Sequence, residues 1–168
     1  MTAEKSKYTF MKKYLPFLIV LFSLVSCEED VRFNTPSFQG LKDNVFWRAI
    51  QTRATLASNG SVVIEAYSGY ELITLKITST TLQTYFLGTS SSNTATYVLK
   101  DANGEVTFIT DFGIGNGQVQ VTEYDDVNHT ISGTFKFNAE NVDDNPLYGS
   151  ELNFQQGVFY KVPVSPAP

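Results

Sequence analysis

The chain has 168 residues, with 17 acidic side chains, 12 Lys and Arg side chains and one cysteine, Cys27. If residues 1–26 are removed as a leader, 142 residues remain with eight basic and 16 acidic side chains, a net charge of −8. That length predicts one domain around one core. The charge argues against binding to nucleic acid, which depends on neutralising phosphates, and a lone cysteine excludes a disulfide framework.

A secretory signal is predicted at the start of the chain. Lys12 and Lys13 precede the apolar run 15–24, and the small residue Ser26 precedes Cys27. Because this run is well short of the roughly 20 apolar residues that span a bilayer, it indicates a signal peptide rather than a transmembrane helix. We therefore expect residues 1–26 to be removed, with 11–26 as the core of the signal and Met11, rather than Met1, as the start.

The four residues Leu24-Val25-Ser26-Cys27 resemble the bacterial lipobox. The resemblance implies that Cys27 is acylated on sulfur, becomes the first residue of the mature chain and is acylated again on its amine. Two or more acyl chains anchor a protein stably, whereas one does so only marginally. The expected location is the outer membrane, with the lipid on Cys27 as the contact with the membrane.

Residues 27–37 are predicted to be a lipidated tether, because the first regular pattern begins only at Phe38. Three acids follow the cysteine directly: Glu28, Glu29 and Asp30. They resemble the short acidic export signals of surface lipoproteins in Bacteroidota, which implies a domain on the cell surface. The alternative is a plain linker, with the domain on the periplasmic face.

Residues 38–164 are predicted to form one antiparallel all-β domain of roughly eight to ten strands, followed by a tail at 165–168. The expected architecture is a β-sandwich or a flattened up-and-down barrel, because strand-type alternation recurs between turn signals with no lasting helical period. The prolines near the C-terminus suggest that the last strand lies at an edge. Three Asn-Gly pairs predict type I′ turns: Asn59-Gly60, Asn103-Gly104 and Asn116-Gly117.

Alternation also predicts which side chains are buried. A two-residue turn at Asn103-Gly104 would pair Leu99 with Phe108 and Tyr97 with Thr110. The hairpin around Asn59-Gly60 has apolar residues on both faces in the simplest register, so either both faces are covered or the register differs. Elsewhere the predicted core positions are Ile73, Leu75, Ile77, Val119, Val121, Phe135 and Phe137, with Lys136 and Asn138 facing outward.

Aromatic residues and glycines recur in a pattern that spans most of the mature chain. The motifs are Phe38-x-Gly40, Phe46-Trp47-x-Ala49, Gly133-Thr134-Phe135-x-Phe137-x-Ala139 and Gly157-x-Phe159. They resemble a domain of unknown function found in Bacteroidota lipoproteins. The resemblance implies localisation and fold, and it brings no catalytic residues.

The polar residues predict no catalytic or metal site and no cofactor. His129, the only histidine, lies with Asp125 and Asp126 in one predicted turn, and the acidic stretch 140–148 matches no calcium-loop spacing. Trp47 is expected in the core, with an exposed ligand contact as the alternative. We therefore expect a non-enzymatic module that binds an envelope protein or glycan. The alternative is a carrier of small apolar ligands with a barrel cavity.

Overall fold

A computed structural model describes residues 37–143, 145 and 147–168, which form eleven β-strands. The strands are β1 (Ser37–Lys42), β2 (Val45–Arg48), β3 (Gln51–Leu56), β4 (Val62–Ser68), β5 (Glu71–Ile77), β6 (Thr84–Leu87), β7 (Thr94–Asp101), β8 (Gly104–Ile109), β9 (Asn116–Asp125), β10 (Thr130–Asn141) and β11 (Glu151–Pro166). The all-β class is confirmed. The predicted signal peptide lies outside the described residues, as does the tether except for Ser37, which begins β1.

The strands form two half-sheets joined at both sides. The front half-sheet has the order β2-β1-β11-β10-β9-β6, and the back half-sheet has the order β3-β4-β5-β7-β8. The end of β11 pairs with β3, and the end of β10 pairs with β8. Because β10 and β11 also pair with each other, seven strands close into a flattened barrel, and β1-β2 and β9-β6 extend from it. All the pairings are antiparallel except that between β11 and β3, which is parallel over three residues.

Burial follows the predicted alternation. Ile73, Leu75 and Ile77 are fully buried on one face of β5, whereas Lys76 is exposed. The predicted core positions of β9 and β10 are all buried, and Lys136 is exposed. Strand β6 is the edge strand next to β9. The two-fold period of a strand explains this agreement, because it assigns the faces without knowledge of the partner.

The Asn-Gly turns were predicted wrongly, because none of these asparagines has the positive φ that a type I′ turn requires. Asn59 and Asp101 instead accept backbone N–H bonds through their side chains, from Ser61 at 3.0 Å and from Asn103 at 2.7 Å. Asn116-Gly117 lies inside β9. The turn with two positive φ angles is Asp43-Asn44, at 48° and 66°, between β1 and β2.

These turns shift the registers of two hairpins. Leu99 pairs with Val106 and Tyr97 with Phe108, two residues from the predicted pairing, so the pairs were wrong but the faces were right. In the first hairpin Leu56 pairs with Val62, one residue from the simplest register. In this register Val62 and Ile64 are buried opposite Leu56 and Ala54, whereas Val63 lies on the other, partly exposed face of β4. The register therefore differs, which was one of the two alternatives.

The last strand lies in the interior of the front half-sheet, not at an edge as its prolines suggested. It pairs with β10 on one side, and with β1 and then β3 on the other. Pro163 lies between Tyr160, which pairs with β1, and Val164, which pairs with β3. A proline is tolerated where one partner strand ends and another begins, because its missing N–H interrupts no continuous ladder. The ladder ends at Pro166, two residues beyond the predicted boundary.

Five phenylalanines from the front half-sheet are buried together in the core: Phe38, Phe135, Phe137, Phe154 and Phe159. Neighbouring rings lie with centroids 4.6 to 6.4 Å apart. Three glycines on the same inner face leave space for these rings. A Cβ added to Gly40 would lie 2.5 Å from Phe154, one on Gly133 would lie 2.4 Å from Phe159, and one on Gly157 would lie 2.6 Å from Phe135. The recurrent glycines and aromatics thus form one packing unit.

Candidate functional site

The residues predicted to carry the membrane anchor and the export signal are Cys27, Glu28, Glu29 and Asp30, and all four lie outside the described residues. Within the part of the chain that the structure describes, no helix has the length and apolar character needed to cross a membrane.

His129 is exposed, in the turn between β9 and β10, as predicted. The Asp125 carboxylate stabilises this turn by accepting backbone bonds from Val127 at 3.0 Å and Asn128 at 2.9 Å. Hydrogen bonds from Asn128, led by its side chain, lower the pKa of Asp125. These bonds give Asp125 a role in turn geometry.

An open depression of about 310 Å³ lies beside the turn, lined by Leu56, Tyr124, Asp126, His129, Val164, Ser165 and Pro166.

Trp47 is only 6% exposed, which confirms its expected place in the core, and neighbouring Phe46 is 64% exposed on the opposite face of β2. The indole nitrogen of Trp47 donates to Oε2 of Glu71 at 2.5 Å. Glu71 also pairs with Lys42 and accepts a bond from the Tyr97 hydroxyl at 2.5 Å. This cluster ties the β1-β2 hairpin to β5 and β7, and the sequence analysis did not detect it.

The protonation of the cluster follows from its contacts. Burial alone would raise the pKa of Glu71, but hydrogen bonds from Lys42, Tyr97 and Trp47 hold it below its ordinary value. Burial, and then the bond to Glu71, raise the pKa of Tyr97. The carboxylate is therefore charged and the phenol neutral at physiological pH. All four polar groups are engaged with one another, so we assign the cluster a structural role.

A second group of polar residues lies on the outer face of the front half-sheet, where two depressions adjoin across β9, β10 and β11. The larger is about 420 Å³ and the smaller about 150 Å³, and both include Lys136 and Gln155. We call them together the amide groove, defined by its outward side chains: Asn116, Gln118, Thr134, Lys136, Asn138, Gln155, Gln156 and Val158.

A β-bulge shapes the groove. Phe135 pairs with Gly157 but Phe137 pairs with Phe154, so Gln155 and Gln156 both lie opposite Lys136. Gln156 has a φ of 52°, an uncommon conformation for a residue other than glycine. Bulges redirect side chains and are frequent beside functional sites. Here the bulge places two amides on the same depression.

The polar side chains at the centre of the groove are unengaged. Those of Gln118, Lys136 and Gln155 make no hydrogen bond or ion pair with any residue in the described ranges, and neither does that of Gln156. The outer face of the back half-sheet differs, because Arg53, Glu65 and Tyr67 bond to one another there at 2.6 to 2.9 Å. The groove thus offers hydrogen-bond donors and acceptors that are not bonded to other described residues of the protein.

At one end of the groove three asparagines form a fixed row across the strands. The Asn138 amide donates to Asn116 at 3.2 Å and accepts a bond from Asn153. Amides in such a row hold one another's orientation while keeping other donors and acceptors free. The row therefore gives the groove a rigid polar margin.

Lys136 is the only charged residue in the groove. Along β9, β10 and β11 the carboxylates closest to Lys136 in register are those of Glu140, of Glu151, which pairs with Glu140, and of Glu123, which pairs with Ser132. Glu140 and Ser132 are each four residues from Lys136. At about 3.4 Å per residue, that separation is roughly 13 Å along the strand. The centre of the groove is thus locally cationic in a domain with an excess of acids.

The row through Lys136 crosses all six strands of the front half-sheet. Successive members are aligned by strand pairing and by the bulge: Phe86, Gln118, Lys136, Gln155, Leu41 and Phe46. The terminal phenylalanines are 59% and 64% exposed. With neighbouring strands about 4.8 Å apart, the row is roughly 24 Å long.

The groove can bind a polar ligand through hydrogen bonds from amides and one ammonium, but it holds no nucleophile activated by a base. Sequence reasoning placed Lys136 on the outer face. It did not identify the groove. The available signal was the run Gln155-Gln156-Gly157, which interrupts the alternation of an otherwise regular strand.

Residues 34–163 match the family model described as domain of unknown function DUF6252. No curated protein and no solved structure shows a significant match to the chain. The matched region begins before β1 and ends at Pro163, so it includes β1 to β10, β11 as far as Pro163, and the glycine–phenylalanine contacts described above. This protein belongs to the DUF6252 family.

Proposed function

We propose that this protein is a lipoprotein of the bacterial cell envelope, of the type found in Bacteroidota, that binds an envelope partner without catalysing a reaction. Acylated Cys27 anchors it to the outer membrane, and the acidic run 28–30 directs the domain to the cell surface. The amide groove is its binding site. The observation that carries the binding role is the set of amides around Lys136 that no described residue engages or covers.

The interior of the barrel favours a binding module over a carrier. A carrier of apolar ligands needs an enclosed cavity of a few hundred Å³. Phenylalanine rings occupy the space between these half-sheets, and the ring centroids of Phe38 and Phe135 lie 4.6 Å apart. Each of the depressions described above opens to solvent. A ligand would therefore meet the outer face first.

The anchor is tested by replacing Cys27 with serine. This variant should lose incorporation of labelled palmitate and move from the membrane fraction to the soluble fraction, because the acceptor sulfur is gone. Both quantities are measured by metabolic labelling and fractionation of cells that express the full chain.

Ser26→Ala is the matched control, because it keeps a small residue before the cysteine and should remain labelled and membrane-bound.

Surface display is tested by protease treatment of intact cells, which should digest the wild-type domain. Membrane retention of Cys27→Ser would contradict the lipid anchor, and protection of the wild type would contradict surface display.

The binding role is tested by placing a diazirine amino acid at position 118 of the full chain in its native envelope. Photolysis should give a discrete heavier adduct, because Gln118 lies in the groove. The matched position is Lys76, which is exposed on the outer face of the back half-sheet and should give no adduct. Adduct formation at both positions alike, or none at position 118, would contradict a binding role for this groove.

A further inference from the structure

We infer that the ligand of the amide groove is an extended acidic saccharide whose chain runs across the strands and whose carboxylate is bound by Lys136. This inference rests on the proposed binding role of the groove and adds the chemical class of the ligand.

Charge complementarity indicates an acidic group. Lys136 makes no ion pair with a described residue, and the nearest carboxylates on the strands of the groove are two outward positions away. Gln118, Gln155 and Gln156 line the same depression and can donate further N–H bonds to a carboxylate. Such charge-assisted bonds are stronger than neutral ones. The single ammonium of Lys136, surrounded by amides, can pair with one carboxylate of the ligand. One positive charge is too little to neutralise the phosphates of a nucleic acid backbone.

The amides indicate a saccharide rather than a protein partner. A primary amide both donates and accepts hydrogen bonds, as does a sugar hydroxyl, so several amides in one groove complement a polyhydroxylated chain. Protein interfaces instead depend on buried aromatic or arginine anchors near their centre. The centre of this face carries Gln118, Lys136 and Gln155, and its exposed aromatics lie at the two outer strands.

The length of the row indicates an extended ligand. A chain that follows it crosses six strands, roughly 24 Å, and reaches Phe86 at one edge and Phe46 at the other. Both rings are more than half exposed and can pack against the C–H face of a sugar ring. A small monomeric ligand would leave these rings without a role.

Calorimetry with the full chain in detergent micelles tests this assignment. The probes are oligomers of galacturonate and of mannuronate, their methyl esters, and poly-glutamate of matched charge. At least one free uronate should bind, its ester should bind more weakly, and poly-glutamate should bind more weakly than the uronate. Lys136→Gln should weaken uronate binding roughly 10- to 100-fold, since hydrogen bonds to charged groups are worth about that factor.

Lys76→Gln is the matched control, because it makes the same change in charge on the opposite outer face and should leave affinity unchanged. Lys136 is exposed, so both variants should keep the wild-type unfolding midpoint. The assignment is overturned if neither uronate binds, if the ester or poly-glutamate binds as tightly as the acid, or if the two lysine variants weaken binding equally. If position 118 still gives an adduct in the envelope, such a result overturns the ligand class alone and leaves the binding role in place.

Discussion

Replacing Phe135 with alanine is expected to lower the free energy of unfolding by about 3 to 5 kcal/mol, the usual cost of emptying a buried phenylalanine site. The ring is 3% exposed and lies 4.6 Å from Phe38 and 5.3 Å from Phe154, measured between centroids. These neighbours come from β1 and β11, so the cavity would open where three strands of the front half-sheet meet. Equilibrium denaturation in urea measures the loss as a lower transition midpoint.

Phe86→Ala is the matched control, because it deletes the same side chain from an edge position where the ring is 59% exposed. Its effect should stay within about 0.5 kcal/mol, as for most surface substitutions. Equal destabilisation by the two variants would contradict the assignment of Phe135 to the centre of the core.

Replacing Gly133 with alanine is expected to cost about 3 kcal/mol, at the upper end of what overpacking usually costs. The added Cβ would lie 2.1 Å from the carbonyl oxygen of Gln120 and 2.4 Å from Cζ of Phe159. A side chain can rotate away, but the carbonyl belongs to the backbone of β9 and can move only with its strand. Thermal unfolding should therefore show a clearly lower melting temperature.

Two further variants define the cause of that loss. Gly149→Ala should be nearly neutral, because its Cβ would meet only an oxygen of Glu151 at 3.6 Å, an ordinary contact. Adding Phe159→Leu to Gly133→Ala should not restore stability, since the contact with Gln120 remains. Full recovery in that double variant would show that the ring, and not the strand, limits the space at Gly133.

The glycine and aromatic motifs share one physical cause. Gly133 and Gly157 pair directly with Phe159 and Phe135 across β10 and β11, and each glycine has a phenylalanine ring over its missing side chain. A side chain at either glycine would compete with that ring for the same volume. The glycine and aromatic motifs therefore serve packing, and the candidate binding residues are outward ones such as Gln118 and Lys136.

The β class and the faces of most strands could be predicted because both are local properties of the chain. A strand that buries one face alternates every two residues, so Ile73, Leu75 and Ile77 could be assigned to the core without knowing their partners. The pairing errors in the β7-β8 hairpin left its faces correct, since a shift of two residues keeps each side chain on its side. Turn type was less predictable, because asparagine can either adopt positive φ or bond to the backbone through its side chain.

The sequence by itself determined the charge balance, the single cysteine, the strand alternation and the outward position of Lys136. Only the tertiary structure decided that β11 crosses from β1 to β3, that the ladder closes, and that Glu71 meets Lys42 and Trp47. It also decided that the amides of Gln118, Gln155 and Gln156 lie around one lysine without a partner among the described residues. The physical reason is that burial of one strand face produces a two-residue alternation in the sequence. An outward polar side chain has the same local pattern whether or not a distant strand supplies its hydrogen-bond partner.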